Sequence, residues 1–249
     1  MDARTDTPAI ALRGLHKQFG RQTVLHDVSL TVTPGETVAV LGRSGMGKSV
    51  LLKLIIGLQE PDSGSIAIHG QEIVGMPDAE LNQIRTRIGF LFQDAALYDA
   101  LNLEDNVAFP LRRHQRFSRA EQRDRARTLL ADMGMSDART KMPSEVSGGM
   151  KKRVGLARAL ALDPDILLFD EPTAGLDPIT CAEIESLITD LKSRRQIAGV
   201  VVTHDLHCVR AVADRVAFLN DGRIVFDGPL EDLASSRDET VAEFLAQTQ

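Results

Sequence analysis

The apolar residues of this chain fall into short runs separated by turn signals, and the texture of those runs changes twice along its length. Ala9-Ile10-Ala11-Leu12, Val24-Leu25 and Val28-Ser29-Leu30-Thr31-Val32 read as strand material broken by turns. Pro34-Gly35-Glu36 is a turn, and Thr37-Val38-Ala39-Val40-Leu41 suits a buried strand. After Gly42–Ser49, the run from Val50 to Ile56 continues as a helix stopping at Gly57. Pro61-Asp62-Ser63-Gly64 turns the chain into Ser65-Ile66-Ala67-Ile68, a strand with alternating apolar positions. From about Asp94 to Leu162 the strand-like runs vanish and helical periodicity dominates, as between Arg119 and Met133 with its charged face. Strands return at Ile166–Asp170, Gly199–Thr203 and Arg215–Leu219, and Asp221-Gly222 predicts a hairpin into Arg223-Ile224-Val225-Phe226. Strand–helix alternation around continuous apolar strands implies an α/β fold with a mainly parallel sheet covered on both faces. Residues 8–245 are expected to form a single domain, with a core from 1–93 and 163–249 and an inserted helical lobe at 94–162.

Composition narrows the class without naming the chemistry. The 249 residues suffice for a full core, with apolar content of 43% and charged content of 26%. A net charge of −6 argues against a surface built mainly to hold nucleic acid. The basic runs Arg112-Arg113-His114 and Lys151-Lys152-Arg153 read as solvated helix faces. Cys181 and Cys208 are isolated, so a reduced cytosolic protein with packing thiols is expected. No run of about 18 apolar residues is present, and the polar start Met1-Asp2-Ala3-Arg4-Thr5-Asp6 lacks an apolar signal core. Any work at a membrane is therefore expected to come through a partner.

The chemistry concentrates at strand ends. Gly42-Arg43-Ser44-Gly45-Met46-Gly47-Lys48-Ser49 fits G-x-x-x-x-G-K-[ST] between an expected strand and an expected helix. Gly42, Ser44, Gly45 and Gly47 belong to a loop whose backbone N–H groups can face phosphates. Lys48 is expected to reach the terminal phosphates, and Ser49 to ligate Mg²⁺. Asp170 ends an apolar strand where its carboxylate can hold the Mg²⁺ shell, and Glu171 is placed to polarise an attacking water. His204 follows a strand directly, which fits either a γ-phosphate sensor or a structural histidine. Gln93 could contact Mg²⁺ or the attacking water, or be a surface amide. Phe19, a rare aromatic in a chain with 4% aromatic residues, could stack on adenine or pack in the core.

Read together, the loop at 42–49, Phe92-Gln93, Ser147-Gly148-Gly149, Asp170-Glu171-Pro172, Ala174-Gly175-Leu176-Asp177 and His204 stand in the order and approximate spacing of ATP-binding-cassette (ABC) ATPases. The resemblance covers nearly the whole chain. It implies a P-loop NTPase fold with a RecA-like core, an antiparallel β portion and a helical subdomain carrying the signature. It also implies that Gln93 is the Q-loop residue, Ser147–Gly149 the signature, Asp177 the D-loop aspartate, His204 the switch histidine and Phe19 the adenine platform. The family further implies a head-to-tail homodimer with two ATP molecules between the chains. Each ATP would meet Lys48 and Ser49 of one chain and Ser147 and Gly149 of the other. A Ser-Gly-Gly turn at a helix start would supply the second set of anion-binding donors.

One departure refines the resemblance. The signature ends in Met150, and Val146-Ser147-Gly148-Gly149-Met150-Lys151-Lys152-Arg153-Val154 resembles cassettes of the Mla type, lipid-asymmetry transporters that work with MCE-domain proteins. Gly45–Lys53, Phe92–Asp99, Asn106–Leu111 and Gly175–Thr180 agree with that resemblance. It implies a phospholipid-transport ATPase on the cytoplasmic face of the inner membrane, held there by an integral-membrane permease and working with an MCE-domain substrate-binding protein. The alternative is the ATPase of an importer for amino acids or other small solutes. Several such cassettes carry a C-terminal regulatory domain, whereas this chain ends with a short tail at Val241–Gln249. A non-transport ABC protein acting on DNA or ribosomes would be expected to carry two cassettes, long coiled coils, zinc modules or basic extensions, none of which is evident.

Overall fold

A computed structural model describes residues 7–113, 117–236 and 238–247. The polar start Met1–Asp6, His114 of the first basic run and the last two residues of the tail lie outside them. In chain order the elements are β1 (Ile10–Phe19), β2 (Gln22–Val32), β3 (Thr37–Leu41), α1 (Lys48–Ile55), β4 (Ser63–Ile68), β5 (Gln71–Glu72), α2 (Asp78–Arg85) and β6 (Ile88–Leu91). Then come α3 (Leu103–Arg113), α4 (Arg119–Asp132) and α5 (Gly148–Ala159). The chain closes with β7 (Ile166–Asp170), α6 (Pro178–Arg195), β8 (Ala198–Thr203), α7 (Leu206–Val212), β9 (Arg215–Asn220), β10 (Arg223–Gly228), α8 (Leu230–Leu233) and α9 (Glu239–Gln247).

Two sheets organise these elements. The larger has the order β10-β9-β3-β8-β7-β6, parallel from β9 to β6 with β10 antiparallel at its edge. The smaller, β2-β1-β4-β5, is antiparallel. Strands β3, β7 and β8 are buried at every position, as expected of parallel strands covered on both faces. Alternation decides which core each residue joins. Val38, Val40, Ile166, Leu168, Val200 and Val202 pack with the antiparallel sheet, α1 and α2. Leu167, Phe169 and Val201 pack with residues of α3 to α6, and Ala39 and Leu41 with Val216, Phe218 and the α9 residues Val241 and Phe244.

The broken apolar pieces of 9–33 turn out to be one long hairpin. β1 and β2 pair over almost their whole lengths, with register shifts between Leu12 and Leu15 and between Leu15 and Lys17. Those irregularities flip the apolar alternation, which is why the strand signal is fragmented in the sequence. Asp221 and Gly222 both have positive φ, 44° and 74°, the geometry of a tight hairpin turn between β9 and β10. α4 starts with a capping box in which Ser118 Oγ accepts from Glu121 N–H and Glu121 accepts from Ser118 N–H. Among the described residues no helix is long and apolar enough to cross a membrane.

Candidate active site

The parallel strands deliver the candidate residues to one edge of the sheet. Leu41 lies beside Thr203 and Asp170 beside Val202 in the strand register, with Leu91 opposite Phe169. The residues that follow β3, β8, β7 and β6 therefore emerge side by side at the carboxyl end of the sheet. They are the Gly42 loop, His204, Glu171 and, two positions beyond β6, Gln93. That edge is where open α/β sheets bind ligands. A cavity of about 360 Å³ opens there, lined by Phe19, Val24, Ser44, Gly45, Gly47, Lys48, Ser49, Val50, Gln93, Glu171, Ala174 and His204.

The loop curls because its glycines permit it. Gly47 has φ +93°, and a Cβ on it would lie 2.9 Å from Val24 Cγ1. Only glycine fits both the left-handed backbone and the close approach to β2. α1 starts at the next residue, so its N-terminal N–H groups face the cavity with no acidic side chain in its first turn. Lys48, 6% exposed, lies inside the curl, donating from Nζ to Gly42 O at 2.7 Å and Arg43 O at 3.1 Å. Burial pulls its pKa down, and the nearby Glu171 carboxylate opposes that pull. Ser49 Oγ donates to Asp170 Oδ1 at 2.8 Å. Burial raises the pKa of Asp170, with the Ser49 hydrogen bond acting against it.

The Glu171 side chain meets three others of the site. Its carboxylate accepts from Thr203 Oγ1 at 3.1 Å, faces His204 Nδ1 at 3.0 Å from both oxygens, and lies 3.6 Å from Lys48 Nζ. Its backbone has φ +47°, a left-handed conformation that costs a non-glycine residue about 1 kcal/mol or more. Three hydrogen bonds hold it there. Its N–H donates to Val202 O at 2.9 Å, and its carbonyl accepts from Lys152 Nζ at 2.8 Å and from the Ala174 N–H at 3.3 Å.

The remaining candidates sit elsewhere. Ser147 is the N-cap of α5, its Oγ accepting from Met150 N–H at 3.3 Å, and both it and Gly148 are exposed. Gly149 is turned inward, and a Cβ there would lie 2.3 Å from Thr180 Cγ2. Asp177 caps α6, accepting from the N–H groups of Ile179 and Thr180 and from Thr180 Oγ1 at 2.6 Å. The Thr180 hydroxyl in particular holds its carboxyl below the usual range. Neither the signature turn nor Asp177 lines the cavity of its own chain. Phe19 does line it and is 45% exposed, which removes the core-packing alternative.

One sequence expectation fails. The run Lys151-Lys152-Arg153 is not a solvated face: Lys152 is 4% exposed and Arg153 donates to Met133 O and pairs with Glu183. Three successive helical residues point about 100° apart, so one of three on a packed helix must turn inward. Lys152 and Thr203 are the site residues the motifs did not flag. The only sequence signal for Thr203 is a polar residue closing the apolar run Gly199–Val202. Cys208 is buried as expected and Cys181 half-buried, and burial pushes the Cys208 thiol up to about 12.

Known proteins resemble this chain along most of its length. A family model described as "ABC transporter" matches residues 25–174. The "Probable ribonucleotide transport ATP-binding protein mkl" of Mycobacterium tuberculosis is 45% identical over 237 residues, 95% of this chain. The chain spans 66% of that protein's length. The "Methionine import ATP-binding protein MetN" of Corynebacterium efficiens is 41% identical over 244 residues, covering 96% of this chain and 68% of its own. Among solved structures, the ATP-binding cassette MJ0796, as a dimer in a post-hydrolysis state bound to ADP and Pi, superimposes with a TM-score of 0.83 at 34% identity. That match covers 89% of this chain and 98% of the cassette.

Proposed function

This chain belongs to the ABC transporter family as an ATP-hydrolysing domain, and on that premise we propose that it drives phospholipid transport through ATP-dependent closure of a homodimer. The observation that carries the mechanism is the Glu171 carboxylate, held by Thr203 and His204 at the mouth of a phosphate loop. In this reading the loop N–H groups and Lys48 bind the terminal phosphates. Glu171 takes the proton of an attacking water, His204 orients Glu171 and donates to developing charge, and Phe19 stacks on adenine. Ser49, Asp170 and Gln93 offer the all-oxygen donor set that suits Mg²⁺. When bound there, Mg²⁺ supplies charge to neutralise the terminal phosphates.

Residues 1–93 and 163–249 act as the catalytic core within the domain 8–245, and 94–162 as a lobe that brings the signature to a second chain. The exposure of Ser147 and Gly148 at the N-terminus of α5 supports that role, because those donors are open to an incoming anion. Asp177, exposed at the start of α6, would face the partner chain. The transporter is completed by an integral-membrane permease that holds the chain on the cytoplasmic side of the inner membrane, and by an MCE-domain protein. What supports the lipid substrate is the Mla-like sequence at 92–99, 106–111 and 146–154.

A second reading, import of a small solute, has an observation of its own in the relatives named for ribonucleotide transport and methionine import. Affinity purification of the chain from its own membranes separates the two. Co-purification with a permease and an MCE-domain protein, and loss of lipid asymmetry on deletion, are expected. Intact asymmetry with defective uptake of a small solute would replace the lipid reading by the second.

A further inference from the structure

We propose that Lys152 is a positioning residue that holds Glu171 in its working conformation by donating from the signature helix to the Glu171 carbonyl. The inference rests on the reading of Glu171 as general base. The basis is geometric. Glu171 adopts a left-handed backbone that its side chain disfavours, with φ +47°. A residue in that state persists when the surrounding structure over-determines it. The N–H donates to Val202 O, and the carbonyl accepts from Lys152 Nζ at 2.8 Å, closer than its other donor, the Ala174 N–H at 3.3 Å in the following turn. The first bond comes from the adjacent strand β8. The second crosses from α5, 19 residues earlier in the chain.

A surface lysine would make a poor anchor, but this one is 4% exposed. Its root is fixed as well. α5 buries Val154, Gly155, Leu156 and Ala157, and at its first turn Gly149 packs so closely on Thr180 that no side chain fits between them. A lysine brought into such a place against its desolvation cost needs compensation. The carboxylates of Asp94, Asp170 and Glu171 all draw its charge inward, opposing the burial that pulls its pKa down. The ammonium thus lies among the residue after Gln93, the strand end that meets Ser49 and the candidate base.

The arrangement also connects two ends of the reaction. α5 begins with the exposed Ser147 and Gly148 and carries Lys152 four residues beyond Gly148 on the same rigid element. A displacement of the helix N-terminus by a bound anion would be felt at the Glu171 carbonyl through one hydrogen bond.

The test compares Lys152→Met, which keeps the length and removes the donor, with Lys152→Arg, which keeps a donor, and Glu171→Gln as reference. Steady-state hydrolysis, ATP affinity and thermal melting are measured on the full chain. Lys152→Met is expected to lower kcat about 10-fold to 100-fold through misplacement of the base, with KM for ATP within about twofold and an unchanged melting curve. Lys152→Arg recovers most of that loss. Combining Lys152→Met with Glu171→Gln lowers the residual rate no further than Glu171→Gln alone, because both remove one function.

A normal kcat in Lys152→Met, or a loss that tracks ATP affinity and melting temperature and adds in full to that of Glu171→Gln, overturns the proposal. Full turnover in Glu171→Gln instead overturns the assignment of the base itself, so the two failures are distinguishable. Should Lys152→Met not fold, Lys152→Ala, which leaves room for water beside the carbonyl, reads the same split.

Discussion

Replacing Gly149 by alanine tests whether the signature turn and the loop ending in Asp177 are packed as one unit. The added Cβ would stand 2.3 Å from Thr180 Cγ2, more than 1 Å inside ordinary carbon–carbon contact. Thr180 cannot simply rotate away. Its Oγ1 donates to Asp177 Oδ2 at 2.6 Å, and that carboxylate also caps the first N–H groups of α6. Relief therefore comes either from moving the start of α5 or from breaking the Asp177 bond. Overpacking of this kind costs about 1–3 kcal/mol, offset by up to about 1 kcal/mol from replacing glycine in a helix. For a chain of this size a net loss of about 1–2 kcal/mol lowers the melting temperature by roughly 2–8 °C. Thr180→Ser provides the control, since it deletes Cγ2 and keeps the hydroxyl that Asp177 needs. Thermal melts and ATPase rates of Gly149→Ala, Thr180→Ser and the double variant complete a cycle in which Thr180→Ser recovers at least half of the loss. An undiminished melting temperature in Gly149→Ala, or a double variant no better than the sum of its parts, would refute the packing argument.

Other expectations follow from single contacts. Lys48→Ala should reduce phosphate release to background, because it removes the ammonium inside the phosphate loop, and retained turnover would sink the assignment of the loop. Phe19→Ala should weaken ATP binding roughly fivefold to tenfold, about 1 kcal/mol of stacking, while leaving stability unchanged because the ring is half exposed. Fluorescent-nucleotide titration reads this, and equal affinity in the variant would return Phe19 to a surface role. The Cys208 thiol should resist alkylation in the native chain at pH 8 and react only on unfolding, since it stays protonated to about 12. An unfolded thiol ionises from about pH 8.5, so this group's stabilisation is complete below that pH and is lost as pH rises toward 12. The unfolding free-energy gap between the native chain and Cys208→Ala should therefore narrow by up to about 1.4 kcal/mol per pH unit above 8.5, and a constant gap would contradict the burial argument.

The features legible in the sequence are those written in consecutive residues. The phosphate loop, the strands at 37–41 and 166–170 and the Asp221-Gly222 turn each carry their cause within a few positions. α/β architecture follows from the fully apolar parallel strands. Features that need the chain to close on itself were hidden. Arg215 pairs with Glu36 across 179 positions, and Thr203 meets Glu171 across 32. No local pattern announces such partners. The hairpin at 10–32 was visible only as fragments, because its register shifts interrupt the alternation that marks a strand. Lys152 misled for a related reason. Adjacent basic residues suggest a common exposed face, yet helical geometry sends neighbours in different directions and only packing decides which one is inside.

That distinction bears on where this chain stores information about its task. The candidate catalytic groups are fixed by the ends of parallel strands, so any cassette with this sheet can present them, and they say little about what is moved. The residue that departs from the common signature, Met150, lies on α5 instead, one side of which reaches the candidate base through Lys152 and the other end of which is open at Ser147. A change of residue at 152 can therefore tune how firmly Glu171 is held without touching the phosphate loop. A change at the exposed end can alter what the helix meets. If α5 links those two functions mechanically, variants that lengthen or remove the Lys152 contact should alter turnover more in the assembled transporter than in the isolated chain, because only there does the helix start bear a load. Equal effects in both settings would show that the contact serves the local geometry of Glu171 alone.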